Sequence, residues 1–361
     1  MRAVVMRDKK LVVADVPVPE PGPGEVLAKT LACGICGSDL HFLRHGDKYV
    51  EAARRAGRRM DIDLDRDIVM GHEFCVEIVE HGPETTKNLK VGTRVCSMPG
   101  LIRRDGPRSI GYSNETPGGF AEYIRLTERL LLEVPNGLAT EQAALTEPMA
   151  VGLHAVEKAR LEPDDVPLVI GCGPVGLAVI AALRLRAVRP IVAADFSARR
   201  RELATALGAD VTVDPGERTP WQSWREVAAW RDQGRAPQRP PWEPGQALRP
   251  AVVFECVGVP GVIDQIMGLA PRATRIVVVG VCMEVDTIHP AYGVTKELNI
   301  QFCFGYRAEE FAATLGHIAD GAIPTAPLIT GTVGLDGVAQ AFQDLGSPER
   351  HAKILVDPWR R

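Results

Sequence analysis

Six residues, Gly171-Cys172-Gly173-Pro174-Val175-Gly176, limit the possible folds of this chain more sharply than anything else in it. Glycines at this spacing occur by chance, so the flanks carry the specificity: a short apolar run at 167–170 precedes them, and an Ala/Leu/Val-rich stretch follows at 175–185. A strand, a Gly-x-Gly-x-x-Gly turn and a helix form a dinucleotide-binding unit. The first glycine permits the turn, the second lets backbone approach a pyrophosphate, and the third lets helix and strand pack closely. Free N–H groups at the helix start, around Pro174 and Val175, then meet the phosphate charge. Asp195 follows nineteen residues after Gly176. A carboxylate there accepts hydrogen bonds from ribose hydroxyls and repels a 2′-phosphate, which favours NAD over NADP. Arg199, Arg200 and Arg201 pull the other way, because an arginine such as Arg200 can take a phosphate.

The surrounding pattern extends this reading. Strands are expected at 190–194, 211–213, 251–256 and 275–280, with a helix capped by Ser197 and ended by Gly208. Such alternation predicts a doubly wound parallel sheet. Before residue 153 the pattern differs: short strands at 3–6, 11–16, 26–31, 74–80 and 93–97, broken by Pro and Gly. After about 303 it is mixed again and ends in a strand at 353–356. The expected class is α/β, with boundaries at 1–152, 153–302 and 303–361 in a chain of 361 residues.

Bulk properties exclude several functions. A net charge of −4 marks no general nucleic-acid binder. The most apolar stretch, 167–183, is broken by glycines and Pro174 and stops at Arg184, so no membrane span is expected. The first thirty residues lack a signal-peptide pattern, which leaves a cytoplasmic location as the expectation. Eight cysteines are too sparse for a disulfide framework and point to a reducing compartment, with metal-binding or packing roles. Cys75, Cys256, Cys282 and Cys303 lie in or beside strands and read as buried packing residues.

Two segments stand apart. Residues 49–67 carry Arg54, Arg55, Arg58 and Arg59, then Asp61, Asp63, Asp65 and Asp67. A calcium loop is rejected, because its sixth position is Arg66 and its twelfth is His72. A solvated loop with a short helix is expected. Trp221, Trp224, Trp230 and Trp242 cluster in the second, where Trp221, Trp224, Val227 and Ala228 have helical spacing. The Pro- and Arg-rich stretch 233–250 reads as a surface excursion; the sharper alternative has it packing on a neighbouring subunit or rimming a substrate cleft.

The candidate metal ligands fall in three places. Cys33-Gly34-Ile35-Cys36-Gly37-Ser38-Asp39-Leu40-His41 is the first, Gly71-His72-Glu73 the second and Glu147-Pro148-Met149-Ala150 the third. Zn²⁺ accepts thiolate, imidazole and carboxylate, and a catalytic zinc uses three protein ligands and keeps one position open. Each residue alone is ambiguous, since a lone Cys or His usually packs. A single C-x-x-C suggests a redox pair or half a structural zinc site, and no second one exists in the chain.

Together, the three segments and the glycine motif resemble the zinc-dependent alcohol dehydrogenases of the medium-chain dehydrogenase/reductase superfamily over nearly the whole chain. The resemblance implies a GroES-like, strand-rich catalytic domain, to which residues 303–361 return, plus a Rossmann domain. It implies zinc on Cys36, His72 and Glu147, with Glu73 as an alternate or exchangeable ligand and Cys33 not a ligand. Glu147 falls where many members place a Cys and where polyol- and threonine-type members place a Glu, which hints at a polyol or secondary alcohol. The family's structural-zinc lobe has four close cysteines, whereas 95–120 holds only Cys96, so one zinc per chain is expected. The 49–67 segment lengthens the usual spacing between Cys36 and His72, and 234–249 is also extra. The implied reaction removes a proton and a hydride from an alcohol, the proton passing from Ser38 by way of the cofactor ribose to His41. Asp39 is placed to fix the tautomer of a ligand His, while His154 reads as packing. The implied partner is a small alcohol or carbonyl, with a homodimer or homotetramer as the assembly. The alternatives are a zinc-free, NADPH-dependent quinone or enone reductase, which lacks the Cys/His/Glu set, and a non-catalytic nucleotide-binding protein.

Overall fold

A computed structural model describes residues 1–57, 60, 62–135, 137–230 and 246–361. Arg58, Arg59, Asp61, Trp242 and most of the 234–249 excursion lie outside the described residues. The chain divides into two compact units, Met1–Ala150 with Arg307–Arg361, and Val151–Tyr306. Among the described residues no helix is long and apolar enough to cross a membrane.

The second unit holds a six-stranded parallel sheet among the described residues. Its spatial order is Val211–Val213, Val192–Ala194, Val166–Ile170, Ala251–Glu255, Arg275–Val278, Asn299–Phe302. In chain order this is 3-2-1-4-5-6, the doubly wound arrangement that places a ligand at the carboxyl ends of the strands where the order reverses. The strands are short and β-branched because both faces are covered. The helix Ala198–Leu207 starts on Ser197, whose hydroxyl accepts from the Arg200 amide, and ends at Gly208 with φ 121°.

Trp221 and Trp224 serve this unit's own core. Trp221 and Trp224 project from the helix Pro220–Ala228 and are buried against Val166, Leu168 and Val253. Their rings meet edge to face at 5.5 Å, and Trp224 Nε1 donates to the Val166 carbonyl at 2.9 Å. Helical spacing put these two rings on one face, and that face is the sheet-facing one. The interface or cleft-rim role raised above concerns residues 233–250, most of which lie outside the described residues. Cys75 is fully buried, but Cys256, Cys282 and Cys303 are only partly so. Cys282 lies beyond the Arg275–Val278 strand, and Cys303 directly follows the strand Asn299–Phe302 at the edge of the sheet.

In the first unit, Glu25–Gly34 is the central strand. It pairs antiparallel with Glu73–His81, Tyr123–Thr127 and Lys353–Val356. The register sets Gly34 opposite Glu73 and Leu355 opposite Gly34. Two residues beyond this strand, Cys36 caps the helix Gly37–Arg55, which is 19 residues long and kinked at His45. The expected loop with a short helix at 49–67 is thus partly the end of a long helix. Its far end is solvated, as expected, but also pinned: Arg7 makes two hydrogen bonds to Asp67, and the Asn114 amide donates to the carbonyls of Asp63 and Asp67.

Trp224→Ala should destabilise the second unit by about 3–5 kcal/mol, through a cavity and a lost hydrogen bond. Denaturant midpoints read by intrinsic fluorescence check this; a shift near zero would mean the indole is not a core element.

Candidate metal and cofactor sites

The chain leaves the central strand at Gly34, turns through Ile35 and delivers Cys36 to the helix start. There the Asp39 carboxylate reaches back to accept from the Cys36 amide at 2.9 Å, closing the first turn. The second approach comes through Gly71, with φ 100°. A Cβ there would lie 2.7 Å from the Phe120 ring and 2.9 Å from Cys33 Sγ, so only glycine fits. His72 and Glu73 follow at once, and ligand atoms of Cys36, His72 and Glu73 lie within 4.8 Å of one another.

Lys353 is the cation this arrangement supplies. Its ammonium donates to both Glu73 oxygens at 2.7 Å and to the Ile35 carbonyl at 3.1 Å, which uses all three of its protons. Both side chains are buried. Gly34 makes the space: a Cβ there would sit 2.0 Å from Glu73 Oε2. Burial disfavours the Lys353 charge, but Glu73 and Cys36 outweigh it and raise the pKa. Glu147, in the first turn of the helix Thr146–Ala159, stands outside the group of three but adds to the field at Lys353.

His72 Nδ1 lies 3.3 Å from Asp39 Oδ1, without the alignment of a formed hydrogen bond. Burial opposes protonation of His72, yet Asp39 and Cys36 prevail and push its pKa well up. This site therefore attracts positive charge. With no metal ion it draws a proton to His72; a divalent cation meets the same field, and the Cys, His and carboxylate donors are those zinc prefers. These residues fit a zinc ion.

Ser38 lies in the first turn of the Gly37–Arg55 helix, and the Tyr112 hydroxyl is 2.9 Å from its Oγ. The same phenol is 3.0 Å from Asp39 Oδ1. His41, partly buried, is one turn further along the helix. Cys33 Sγ is buried beside Gly71 and Gly119, where burial raises its thiol pKa. His154 is buried. Gly100–Arg103 and Gly106–Ser109 form an antiparallel hairpin.

The glycine turn has three distinct environments. Gly171 has φ 89°, and its amide donates to Ala194 at 2.8 Å. A Cβ on Gly176 would lie 1.9 Å from the Gly171 carbonyl, so helix and strand are in close contact there. Around Gly173 the space is open, with Arg200 Nη1 the nearest atom to such a Cβ at 4.0 Å. Pro174 opens the helix Pro174–Leu185, where its missing N–H costs nothing, and Val175 follows. Asp195 accepts from the amides of Cys172 at 2.7 Å and Ser197 at 2.8 Å, with Arg200 Nη1 3.8 Å away. An open second glycine, a helix N-terminus and a fixed carboxylate suit a dinucleotide.

Two residues escaped sequence reasoning. Lys353 opens a run that reads only as an apolar strand, and its lysine was the one available signal. Tyr112 sits in a Gly/Ser turn that carries no signal at all.

Comparison with known proteins agrees with this geometry. Residues 22–136 match the alcohol dehydrogenase GroES-like domain, and residues 174–320 the zinc-binding dehydrogenase family. The chain belongs to the zinc-dependent, NAD(P)-linked alcohol dehydrogenases of the medium-chain dehydrogenase/reductase superfamily. It is 33% identical to (R,R)-butanediol dehydrogenase of Bacillus subtilis (strain 168) over 350 residues, 94% of either chain. It is 28% identical to sorbitol dehydrogenase of Bos taurus over 339 residues, 91% of this chain and 87% of the other. The crystal structure of 2R,3R-butanediol dehydrogenase from Bacillus subtilis superposes with a TM-score of 0.78 at 30% identity, covering 99% of each chain. A structure from Sinorhizobium meliloti 1021, described as a zinc-binding dehydrogenase and bound to NADP, gives 0.77 at 27% identity, with 99% of each chain covered.

Two outcomes follow. Lys353→Met should lower the melting temperature of the metal-free protein more than that of the zinc-loaded protein. Removing one partner of a buried ion pair costs about 3–5 kcal/mol, and a bound cation would replace it. Equal losses in both forms would contradict a metal-facing Glu73. Zinc affinity should fall as pH drops, because zinc must displace the proton that the raised pKa holds on His72. Competition with a chelator, followed as the pH is lowered from the alkaline side, reads this directly.

Proposed function

We propose that this chain is an NAD-linked dehydrogenase of small secondary alcohols or polyols, with one catalytic zinc and no structural zinc. The convergence of Cys36, His72 and Glu73 within 4.8 Å carries the reading. Cys36 and His72 would hold the ion, with Glu147 as third ligand while Lys353 retains Glu73, and Glu73 as the exchangeable alternative. With Nδ1 turned to Asp39, Nε2 of His72 is the nitrogen left for the metal. When bound, zinc supplies Lewis acidity toward an alcohol oxygen, and the nicotinamide supplies the two-electron acceptor.

The chain's own residues do the rest. Ser38 takes the alcohol proton at Oγ as it releases its own, and His41 passes a proton to solvent. Gly171, Gly173, Gly176, Pro174 and Val175 shape the phosphate cradle. Asp195 favours NAD by binding the ribose hydroxyls; Arg200, beside it, is the residue that would tolerate NADP. The named relatives act on butanediol and sorbitol, which supports a polyol or vicinal diol as substrate. The edge strand Asn299–Phe302 leaves Phe302 and Phe304 exposed, which supports a homodimer or homotetramer. Eight free thiols accord with a cytoplasmic protein.

Metal analysis with a screen of diols and polyols against NAD and NADP tests the reading; zinc-free protein, or turnover that survives zinc removal, would refute it. Ser38→Ala should keep zinc and lose about 100-fold or more in kcat, with a smaller loss for His41→Gln. Asp195→Ala should shift the NADP to NAD ratio of kcat/KM upward by about tenfold.

A further inference from the structure

In a doubly wound sheet a dinucleotide lies across the point where strand order reverses, one half on either side of the glycine turn. With Asp195 on the adenosine half, the other half falls beyond the turn, over the ends of Ala251–Glu255 and Arg275–Val278. Glu255 is the last residue of its strand and is buried. Its Oε1 accepts from the amides of Val257 at 2.7 Å and Gly258 at 2.8 Å. Oε2 faces the next loop: a Cβ on Gly280 would lie 2.8 Å from it, and the Gly280 amide favours the charged carboxylate. The Glu255 carbonyl takes the amides of Val279 and Gly280, both at 2.9 Å. One residue thus ties two loops together. They also touch directly, since a Cβ on Gly258, with φ 69°, would lie 2.8 Å from the Val281 nitrogen.

Glu255 repeats on this side what Asp195 does on the other. Asp195 accepts from the amide two residues ahead, Ser197, and from the neighbouring loop at Cys172. Glu255 accepts from the amide two residues ahead, Val257, and its extra methylene carries it to the neighbouring loop at Gly280. A buried carboxylate is a costly way to close a turn. Two of them at matching strand ends point to the two halves of one ligand. The loops tied by Glu255 present Val257 and Val281, both exposed. The first of these loops abuts the glycine turn, where a Cβ on Gly171 would meet Val257 Cγ2 at 2.7 Å. An apolar rim beside the phosphate cradle suits a flat pyridine ring.

We infer that Glu255 is a positioning residue for the nicotinamide half of the cofactor: its carboxylate holds the 256–258 and 279–281 loops where the ring docks. The inference rests on the dinucleotide reading of the glycine turn and Asp195, and it does not depend on turnover.

The test measures binding of NADH, and of ADP, which lacks the nicotinamide half, by calorimetry on wild type and two variants. Glu255→Gln keeps the shape, but whichever way its amide is turned, the NH2 group meets an N–H that the carboxylate faced. Glu255→Asp keeps the charge and the bond to the amide two residues ahead, as at Asp195, but falls short of Gly280. Each variant should weaken NADH by about tenfold and leave ADP within about twofold, because loosened loops must be ordered again only when the nicotinamide half binds. Should Glu255→Gln fail to fold, Glu255→Asp decides alone. Unchanged NADH affinity, or equal losses for NADH and ADP, would overturn the proposal, since a merely structural role moves both ligands together. Wild-type protein that binds ADP but not NADH would instead remove the nicotinamide reading, and the proposal with it.

Discussion

Negative charge gathered in a dry volume is the constraint on which the first unit is built. Asp39 and Glu73 are fully buried, Cys36 and His72 lie beside them, and isolated buried carboxylates are expensive. Lys353 compensates for one of them, reaching from a neighbouring strand to take both Glu73 oxygens. Asp39 is held by an amide and a phenol and faces an imidazole whose pKa is driven up in response. The strand register that sets Gly34 against Glu73 and the glycine at 71 give these groups their room. Such a site is costly for a protein that needs only a core, and well suited to one that binds a divalent cation.

The second unit meets a different demand with local means. Its cofactor turn needs one left-handed residue, one open approach and one close contact, and Gly171, Gly173 and Gly176 provide them in that order. Asp195 is fixed by two backbone amides before any ribose arrives, so its direction costs nothing further on binding.

This difference explains what could be read from the sequence. The doubly wound sheet was legible almost strand by strand, because turn, strand and cap signals are local and their spacing is short. Ser197 and Gly208 marked a helix at both ends for the same reason. Cys36, His72 and Glu73 were legible through family motifs rather than periodicity. Lys353 was not, because its meaning comes from Glu73, which lies 280 residues away in the chain. Tyr112 was invisible for the same reason: its partners are more than seventy residues distant. Helical spacing grouped Trp221 and Trp224 on one face, but composition alone cannot say that this face meets the sheet. The short helix expected within 49–67 is the end of a longer one, Gly37–Arg55, whose start is set by Cys36 and Asp39.

The central claim is that the field around Cys36, Asp39, His72 and Glu73 exists to hold a zinc ion. Anomalous diffraction at the zinc absorption edge, from crystals of protein purified without chelator, addresses it most directly. The account requires one peak in each chain, about 2.3 Å from Cys36 Sγ and about 2.1 Å from a nitrogen of His72. An empty map at that position, or a zinc peak at Cys96 in its place, would contradict it.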